Sequence, residues 1–525
     1  MVSTNDHLPG FLHDHYARPV PLLKKTSPPG ILPVLAVDRT SATPLYRQLY
    51  DGYREAIVSR RLRPGQRLPS TRALAAELRI SRLPVLQAFE QLLAEGYFEA
   101  RTGAGTFVAN SLPDDFSTAD GRSGSRKPAA GPGRRVIAQG AALLQPEPAP
   151  WLQGWGAFRV SQPAVDRFPF EVWSALIARH CRNPRTSLLH YGDPMGYRPF
   201  REAIASYLRT SRAARCDADQ VMVVSGSQQA LEITARVLLD PRSPVWVEEP
   251  GYPGARDVLT MAGARLVPVP VDEEGLQVAA GIALAPQARA VYVTPSHQYP
   301  LGVTMSASRR LQLLDWAQRS GAWIIEDDYD SEYRYGSQPV ASLQGLDQDS
   351  RVIYIGTFSK VLFPSLRLGY LVLPADLAGR FAAVREAMDI FPPTLPQAAL
   401  TDFLIEGHFA RHLRRMRLLY RERREALVEA LGAELGDALT VVGDQAGLHL
   451  TATLPEGVDS QISDRRIAEE AARRNLWAMP LSSCYLGANP RPGLVLGFAG
   501  VGAPEIVEGA RRLRGALSVL HATAC

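Results

Sequence analysis

A lysine that follows an apolar run is the residue of this sequence best suited to covalent chemistry. Lys360 stands in the stretch GTFSKVLFPSLRLGY, directly after the apolar run VIYI, and Arg367 follows it seven positions later. A lysine amine becomes a nucleophile toward carbonyl compounds when partial burial and a neighbouring cation lower its pKa. The alternative is a solvated loop lysine, so the question is whether other residues are placed to act with Lys360.

Polar residues follow other apolar runs in the same way. The run WII leads into EDDYDSEYRY, where the Asp327 carboxylate could keep a pyridinium nitrogen protonated and the Tyr329 hydroxyl could reach a phenolate oxygen. The run VWV leads into EEPGYPG, where Tyr252 could stack on a planar ring. Taken alone, each has an ordinary alternative, a solvated acidic loop and a core tyrosine.

A phosphate site is indicated after the run VMVV. Ser225, Gly226, Ser227 and Gln228 open a predicted helix there, and free N–H groups at a helix start suit a phosphate, although such residues are also ordinary helix caps. Near the lysine, Thr357, Ser359 and Arg367 can complete such a site, with Arg367 giving charge-assisted bonds. A phosphate cradle, a stacking ring, an acid and a lysine are the parts that pyridoxal phosphate (PLP) requires.

The elements that must position these residues form a mainly parallel sheet. Short apolar runs alternate with longer segments of helical character, which indicates strands joined by helical crossovers and covered on both faces. The runs are VMVV (221–224), VWV (245–247), AVYV (290–293), WII (323–325) and VIYI (352–355). Ligands in such sheets bind at the carboxyl ends of the strands, which is where the polar residues fall.

The front of the chain has a different character. Between Thr43 and Asn110 there are ten arginines and six acids, so 10 − 6 = +4 of the chain's net charge of +5 lies there, which is typical of a polyanion binder. Helical periodicity in Leu45, Leu49, Tyr53 and Ile57 predicts a first helix, and Ser70 and Ser81 are predicted to cap a second and a third. The stretch YFEARTGAGTFVA predicts a hairpin, so the segment is expected to be a winged helix-turn-helix.

Length and composition bound the remaining possibilities. The 525 residues suggest more than one domain, and no apolar run reaches the roughly 18 residues of a membrane span. The start MVSTNDHLPG lacks the layout of a signal peptide, and the scattered Cys181, Cys216, Cys484 and Cys525 suggest neither a disulfide framework nor a zinc site, so a cytoplasmic protein is expected. The expected domains are an N-terminal arm (1–40), the DNA-binding domain (41–110), a flexible linker rich in Gly, Pro and Ser (111–150) and a larger domain (151–525).

These motifs carry a family resemblance. Residues 174–525 resemble the fold-type-I aminotransferases through SGSQQA, EEPGYPG, IEDDYDSEYRY and TFSKxxxPxLRLGY, and residues 44–108 are similar to GntR-type winged helices through LRPGQRLPSTRALAAELRISR and AEGYFEARTGAGTFV. This combination resembles the MocR/GabR family of bacterial transcription regulators. The resemblance implies an α/β fold: a winged helix-turn-helix, then a PLP-dependent aminotransferase-like domain with a mainly parallel sheet and a smaller C-terminal α/β subdomain.

The resemblance also assigns roles to residues. It implies that Lys360 forms the Schiff base with PLP, that Asp327 faces the pyridine nitrogen, that Tyr329 contacts the ring oxygen and that Tyr252 stacks on the ring. The residues implied to bind the phosphate are Ser227, Gln228, Thr357, Ser359 and Arg367. Tyr191, in HYGDPMG, matches a tyrosine that reaches the phosphate of the partner subunit, which implies a homodimer with a shared site.

For DNA, the resemblance places the third helix, from Ser81, in the major groove and the hairpin at the minor groove. The residues expected at double-stranded promoter DNA are Arg72, Ser81, Arg82, Arg101, Thr102 and Gly103. Each arginine can contact phosphate, and Arg82 can also reach a guanine edge, although a helix arginine is often merely solvated. Pro84 falls in the first turn of the third helix, where a missing N–H is tolerated.

Two departures from aminotransferases favour a regulator over an enzyme. Tyr299, in SHQYPLG, replaces the asparagine that bonds the ring oxygen, and Val495 replaces the arginine that clamps the substrate carboxylate, with Arg491 the nearest arginine in sequence. The leading hypothesis is therefore a DNA-binding regulator that senses PLP or an amino compound through Lys360. The alternatives are a working aminotransferase with a DNA-binding appendage, and a body that serves only for dimerisation.

Overall fold

The computed structural model describes residues 37–111, 139–144, 149–336, 341–455 and 463–524. The chain forms two compact units, residues 1–134 and 135–525, and each described unit has a hydrophobic core of its own. The arm expected at 1–40 and the linker expected at 111–150 fall largely outside the described residues.

The N-terminal unit has the expected helices and hairpin. Its elements are α1 (Leu45–Val58), α2 (Thr71–Glu77), α3 (Arg82–Ala94), β1 (Phe98–Arg101) and β2 (Gly105–Val108). The Ser70 hydroxyl caps α2 by accepting the Ala73 N–H at 3.2 Å, and β1 pairs antiparallel with β2. Tyr53, Phe89 and Phe98 meet edge to face with ring centroids 5.0 to 5.6 Å apart, so one aromatic cluster ties the hairpin to the helices. The winged helix-turn-helix is confirmed.

The larger unit alternates helices and strands from residue 139 onward. Its helices are α4 (Gln139–Ala142), α5 (Phe170–Arg182), α6 (Arg198–Arg212), α7 (Ser227–Leu238), α8 (Pro253–Met261), α9 (Val278–Leu284), α10 (Ala307–Ser320), α11 (Leu343–Leu346), α12 (Ala378–Asp389), α13 (Thr394–Ile405), α14 (His408–Leu435), α15 (Asp464–Arg473) and α16 (Ala503–Ala524). Its strands are β3 (Val221–Val224), β4 (Pro244–Glu249), β5 (Arg265–Asp272), β6 (Gly275–Leu276), β7 (Ala290–Val293), β8 (Trp323–Asp328), β9 (Val352–Thr357), β10 (Gly369–Val372), β11 (Thr440–Val442), β12 (His449–Thr453), β13 (Met479–Pro480) and β14 (Gly493–Gly497).

The main sheet confirms the expected architecture. Its eight strands lie in the order β3-β10-β9-β8-β7-β4-β5-β6. The pairs β4/β5, β4/β7, β7/β8 and β8/β9 are parallel, whereas β10 runs antiparallel to β3 and β9, and β6 to β5. All residues of β3, β7, β9 and β10 are buried, which explains their continuous apolar character.

A second, smaller sheet forms the C-terminal subdomain. It has the order β11-β12-β14-β13 and all its pairs are antiparallel. Helix α15 packs against β13, and α16 packs against both α14 and α15. Among the described helices, none is long and apolar enough to cross a membrane.

Candidate functional site

The lysine lies at the carboxyl end of β9, inside the larger unit. Its amine is 3.4 Å from the Ser161 carbonyl oxygen. Burial lowers the pKa of Lys360 from 10.5 to about 8; the Asp330 and Asp327 carboxylates oppose this shift, and the Arg367 and Arg159 cations add to it. A lysine of this kind carries a larger fraction of neutral, nucleophilic amine near neutral pH than a solvated lysine does.

The acid lies on the neighbouring strand. Asp327 is the second-to-last residue of β8, and burial raises its pKa from 3.8 to about 7. Its Oδ2 accepts a hydrogen bond from the Tyr292 hydroxyl at 2.9 Å, whereas its Oδ1 is buried and has no hydrogen-bond partner among the described residues. A buried acceptor without a donor is costly, so this oxygen suits a ligand N–H such as a protonated ring nitrogen.

One cavity brings these groups together. Its lining residues are Ser161, Ser227, Tyr252, Tyr292, Thr294, Tyr299, Asp327, Tyr329 and Lys360. Five residues predicted from the sequence therefore share one cavity: Lys360, Asp327, Tyr329, Tyr252 and Ser227.

Two of the predicted phosphate residues, Ser227 and Arg367, lie at the start of α7. The helix begins at Ser227 after Gly226, whose φ of 114° suits glycine, and a Cβ on Gly226 would lie 3.4 Å from Nη1 of Arg367. The Thr357 hydroxyl oxygen accepts the Ser359 N–H at 3.1 Å. The Ser359 hydroxyl is buried, without a partner in the part of the chain that the structure describes. The start of α7 and the Arg367 guanidinium therefore lie next to each other, which suits a phosphate.

Five predicted residues do not line the cavity, and they are Gln228, Thr357, Ser359, Arg367 and Tyr191. Gln228 is exposed, and its side-chain amide donates to the Gly254 carbonyl at 3.3 Å. Tyr191 is 83% exposed, with its ring 5.9 Å from that of Phe391. Because the Tyr191 side chain does not line the cavity of its own chain, the role expected for it requires a second subunit.

Several lining residues were not identified from the sequence. Tyr292 looked like an ordinary apolar residue of the AVYV run, yet the parallel pairing of β7 with β8 brings its hydroxyl to Asp327. Ser161 and Thr294 had no distinguishing pattern. Tyr299 was noted only as a substitution; its ring is buried and meets that of Tyr252 edge to face at 5.3 Å.

The position of the missing carboxylate clamp is filled by an apolar residue. Val495 lies in the middle of β14 and is fully buried. Arg491 does not take its place, because it is exposed and its Nη2 donates to Thr453 Oγ1 at 3.3 Å. The end of β14 pairs instead with the segment that covers the lysine: Gly497 forms a bridge with Phe158, next to Arg159.

In the N-terminal unit, the residues predicted to contact DNA all lie at the surface. They are Arg72, Ser81, Arg82, Arg101, Thr102 and Gly103. The Arg82 Nε donates to Thr71 Oγ1 at 3.2 Å, which links α3 to α2. Arg101 is paired with Glu99 and lies over the Phe107 ring at 4.5 Å. Ser81 precedes α3, but its side chain makes no capping bond.

Comparison with known families divides the chain as its two units do. Residues 45–108 match the gntR family of bacterial regulatory proteins, and residues 159–511 match class I and II aminotransferases. The chain is 41% identical to the probable rhizopine catabolism regulatory protein MocR of Rhizobium meliloti, over 93% of this chain and 97% of that protein. It is 31% identical to the pyridoxine biosynthesis transcriptional regulator PdxR of Corynebacterium glutamicum, over 88% of this chain and 94% of that protein.

The solved structures it matches include an aminotransferase. LysN, an alpha-aminoadipate aminotransferase from Thermus thermophilus, superimposes with a TM-score of 0.67 at 30% identity, covering 74% of this chain and 98% of that one. That structure holds N-(5'-phosphopyridoxyl)-L-leucine, a cofactor derivative.

Proposed function

The chain belongs to the MocR-type transcriptional regulators, which join a gntR-family DNA-binding domain to a class I and II aminotransferase domain, and we propose that it couples DNA binding to PLP, or to an amino compound, held at Lys360. The observation that carries this proposal is the shared cavity of Lys360 and Asp327, in a chain whose other unit has the fold and basic surface of a DNA binder.

The cofactor of the larger domain is PLP, and the residues present fit it. When bound, PLP supplies an aldehyde that condenses with a primary amine and an electron-poor ring. Lys360 would provide that amine, Asp327 Oδ1 would gain the hydrogen-bond donor it lacks, and Tyr252 and Tyr329 would contact the ring and its oxygen. The unpaired Asp327 oxygen is the clearest sign of this fit, because without a donor it is a buried acceptor left unsatisfied.

The phosphate would be held at the start of α7. Ser227, Gln228, Thr357, Ser359 and Arg367 are proposed to bind it, supported by the convergence of the helix N-terminus with the Arg367 guanidinium. Tyr191 of one subunit is proposed to reach the phosphate of the other, which makes the protein a homodimer; its 83% exposure leaves the side chain available for such a contact.

DNA binding would use α3 and the hairpin of the N-terminal unit, with the protein acting in the cytoplasm. Arg72 and Arg82 are proposed to bind phosphate, with Ser81, Thr102 and Gly103 alongside. Arg101 would have to leave its pairing with Glu99 to reach DNA, so we assign it a smaller share of the affinity.

The effector is proposed to be recognised mainly through its amine. Val495 is buried where aminotransferases place the carboxylate clamp, and Arg491 is bonded to Thr453. Loss of an α-carboxylate from the effector should therefore cost little. An amino acid and the amine left by its decarboxylation should displace Lys360 from PLP with affinities within about tenfold, because no bidentate ion pair is lost.

Peptide mapping tests the attachment point. Lys360 is the only lysine after Lys127, so borohydride reduction followed by proteolysis can be read without ambiguity in the larger domain. We expect the label on the Lys360 peptide and none in Lys360→Ala. A label confined to the lysines of residues 1–127 would contradict the proposal.

A working aminotransferase is the competing function. A steady-state assay with panels of amino donors and keto acids separates the two, since robust multiple turnover would contradict a pure sensor. The missing clamp predicts slow or single turnover, because orientation of the substrate supplies much of an enzyme's rate.

A further inference from the structure

A buried chain of hydrogen bonds lies behind Tyr329. The Tyr329 hydroxyl oxygen is 3.0 Å from His297 Nδ1 and 2.9 Å from the His297 carbonyl oxygen. His297 Nδ1 is in turn 3.0 Å from Asp330 Oδ1. His297 and Asp330 are 2% and 1% exposed, so both are shielded from solvent. Their hydrogen bonds are therefore stronger than they would be at a surface, and loss of a partner costs more free energy.

The proton of this contact can be assigned from its partners. Asp330 uses both carboxylate oxygens as acceptors: Oδ2 takes the Leu448 N–H at 3.1 Å, and Oδ1 faces His297. The proton therefore lies on His297 Nδ1. This N–H donates to Asp330 Oδ1 and also faces the Tyr329 hydroxyl oxygen, so the two oxygens share one donor. As Nδ1 donates, the hydroxyl of Tyr329 keeps its own proton for an acceptor, either the His297 carbonyl or a ring oxygen in the cavity.

The histidine ring is held tightly in this orientation. A Cβ on Gly447 would lie 2.1 Å from His297 Cε1 and 2.6 Å from Asp330 Oδ2, so the glycine allows the backbone to close on both side chains. The φ of Gly447 is +74°, which also favours glycine. His449 packs over Tyr329 with ring planes 17° apart. A side chain fixed on so many sides is suited to positioning a neighbour.

His297 and Asp330 matter because the asparagine that bonds the ring oxygen in aminotransferases is replaced here. Tyr299 occupies the place of the aminotransferase asparagine, and its hydroxyl points to Met479 Sδ at 3.6 Å. Tyr329 is left as the donor proposed for that oxygen. Asp330 is also the carboxylate that most strongly opposes the lowering of the Lys360 pKa by burial, so it acts on the lysine as well as on His297.

A metal ion is the competing interpretation of these side chains. One ligand atom each from His297, Asp330 and His449 lies within 4.8 Å of the others. However, Asp330 already accepts two hydrogen bonds, and His449 Nε2 faces the Pro300 carbonyl at 3.3 Å. These bonds use atoms of Asp330 and His449 that a metal would need, so hydrogen bonding is favoured, although His297 Nε2 is buried without a partner among the described residues.

We propose that His297 is a positioning residue that holds the Tyr329 hydroxyl with its proton directed at the ring oxygen of PLP, and that Asp330 fixes the tautomer of His297. This inference rests on the proposed role of Tyr329. Hydrogen bonding from Tyr329 stabilises negative charge on the ring oxygen, and so favours the form of the bound cofactor that has lost its proton.

The test is the pH midpoint of the visible absorbance band of the PLP-loaded protein. His297→Asn and His297→Gln form a matched pair, since the asparagine amide can occupy the place of Nδ1 whereas the glutamine amide reaches the place of Nε2. We expect Tyr329→Phe and His297→Gln each to raise the midpoint by about half a pH unit or more, and His297→Asn to stay near wild type. In Tyr329→Phe, the further change His297→Gln should add nothing.

Other charged and titratable groups around the cavity are unchanged in these variants. They include Glu248, Asp327, Arg159, Arg367, His449, Tyr252, Tyr292 and Tyr299, so differences between variants report on His297 and Tyr329. His180 contacts Asp402 at 2.9 Å between α5 and α13 and serves as a control: His180→Gln and His180→Asn should leave the midpoint unchanged.

The outcomes separate the inference from its premise. An unchanged midpoint in Tyr329→Phe would remove the proposed role of Tyr329 and this inference with it. A shift in Tyr329→Phe without one in His297→Gln would overturn the inference alone, as would a His297→Asn variant that behaves like His297→Gln. One tightly bound metal ion per chain in the wild-type protein, absent from His297→Asn, would replace hydrogen bonding with metal binding.

Discussion

Lys360 should capture PLP with a pH dependence that ordinary lysines do not show. Its pKa is lowered to about 8, mainly by burial. At pH 7 about 10% of such amines are neutral, against about 0.03% for a lysine at 10.5, so Lys360 has about 300 times more nucleophile available. The rate of PLP capture should therefore rise about tenfold per pH unit below pH 8, where neutral amine is scarce, and level off above pH 8.

Stopped-flow absorbance measures this rate after apo-protein is mixed with PLP between pH 6 and 9.5. The same titration with Nα-acetyl-lysine in place of the protein corrects for protons on the cofactor itself. Lys360→Arg keeps a positive charge but cannot condense, and should show no slow absorbance change.

The dependence of the corrected rate on pH shows whether the pKa of Lys360 is lowered. A break near pH 8 is expected, because further deprotonation of an amine that is already neutral adds nothing. A rate that keeps rising through pH 9.5 in parallel with Nα-acetyl-lysine would show that burial does not lower the pKa of Lys360, and would refute the reasoning.

Other residues give further predictions. Asp327→Asn should weaken PLP binding by roughly tenfold to a hundredfold, the value of a hydrogen bond to a charged group, and an unchanged Kd in a fluorescence titration would contradict its assignment. Tyr191→Phe should weaken PLP binding by about tenfold, and mixed dimers of Tyr191→Phe with Lys360→Ala should regain one full-affinity site; failure to regain it would exclude a shared site. Arg82→Ala should reduce the slope of log K against log salt for DNA binding by about 0.9, and an unaltered slope would mean that Arg82 contacts no phosphate.

Much of the architecture could be predicted because apolar runs mark buried strands. All five runs named from the sequence lie in β3, β4, β7, β8 and β9, and the helices of the N-terminal unit follow their apolar faces. The antiparallel strand β10 was not predicted, since GYLV follows a loop and its direction depends on pairing with β3 and β9. The order of the strands in the smaller sheet is likewise set by partners distant in sequence.

The candidate site was predicted as far as strand ends could reveal it. Lys360 and Tyr252 each follow a strand and Asp327 lies near the end of one, directly after an apolar run, so one rule predicts all three at the same edge of the sheet. Tyr292 could not be found in this way, because it belongs to the apolar run itself and only the register of β7 with β8 places it at Asp327. His297 lies in the segment SHQYPLG, but its contact with Asp330 joins residues 33 positions apart and has no local sequence pattern.

The central claim is that the cofactor held at Lys360 changes the affinity for DNA. The direct measurement is fluorescence anisotropy with a DNA duplex selected from random sequences by the full-length protein, with and without PLP, for the wild type and Lys360→Ala. We predict that PLP changes the wild-type Kd by about fivefold or more, as a coupling free energy of at least about 1 kcal/mol requires, and leaves that of Lys360→Ala unchanged. Equal wild-type affinities with and without PLP, and with a panel of primary amines added, would contradict the account.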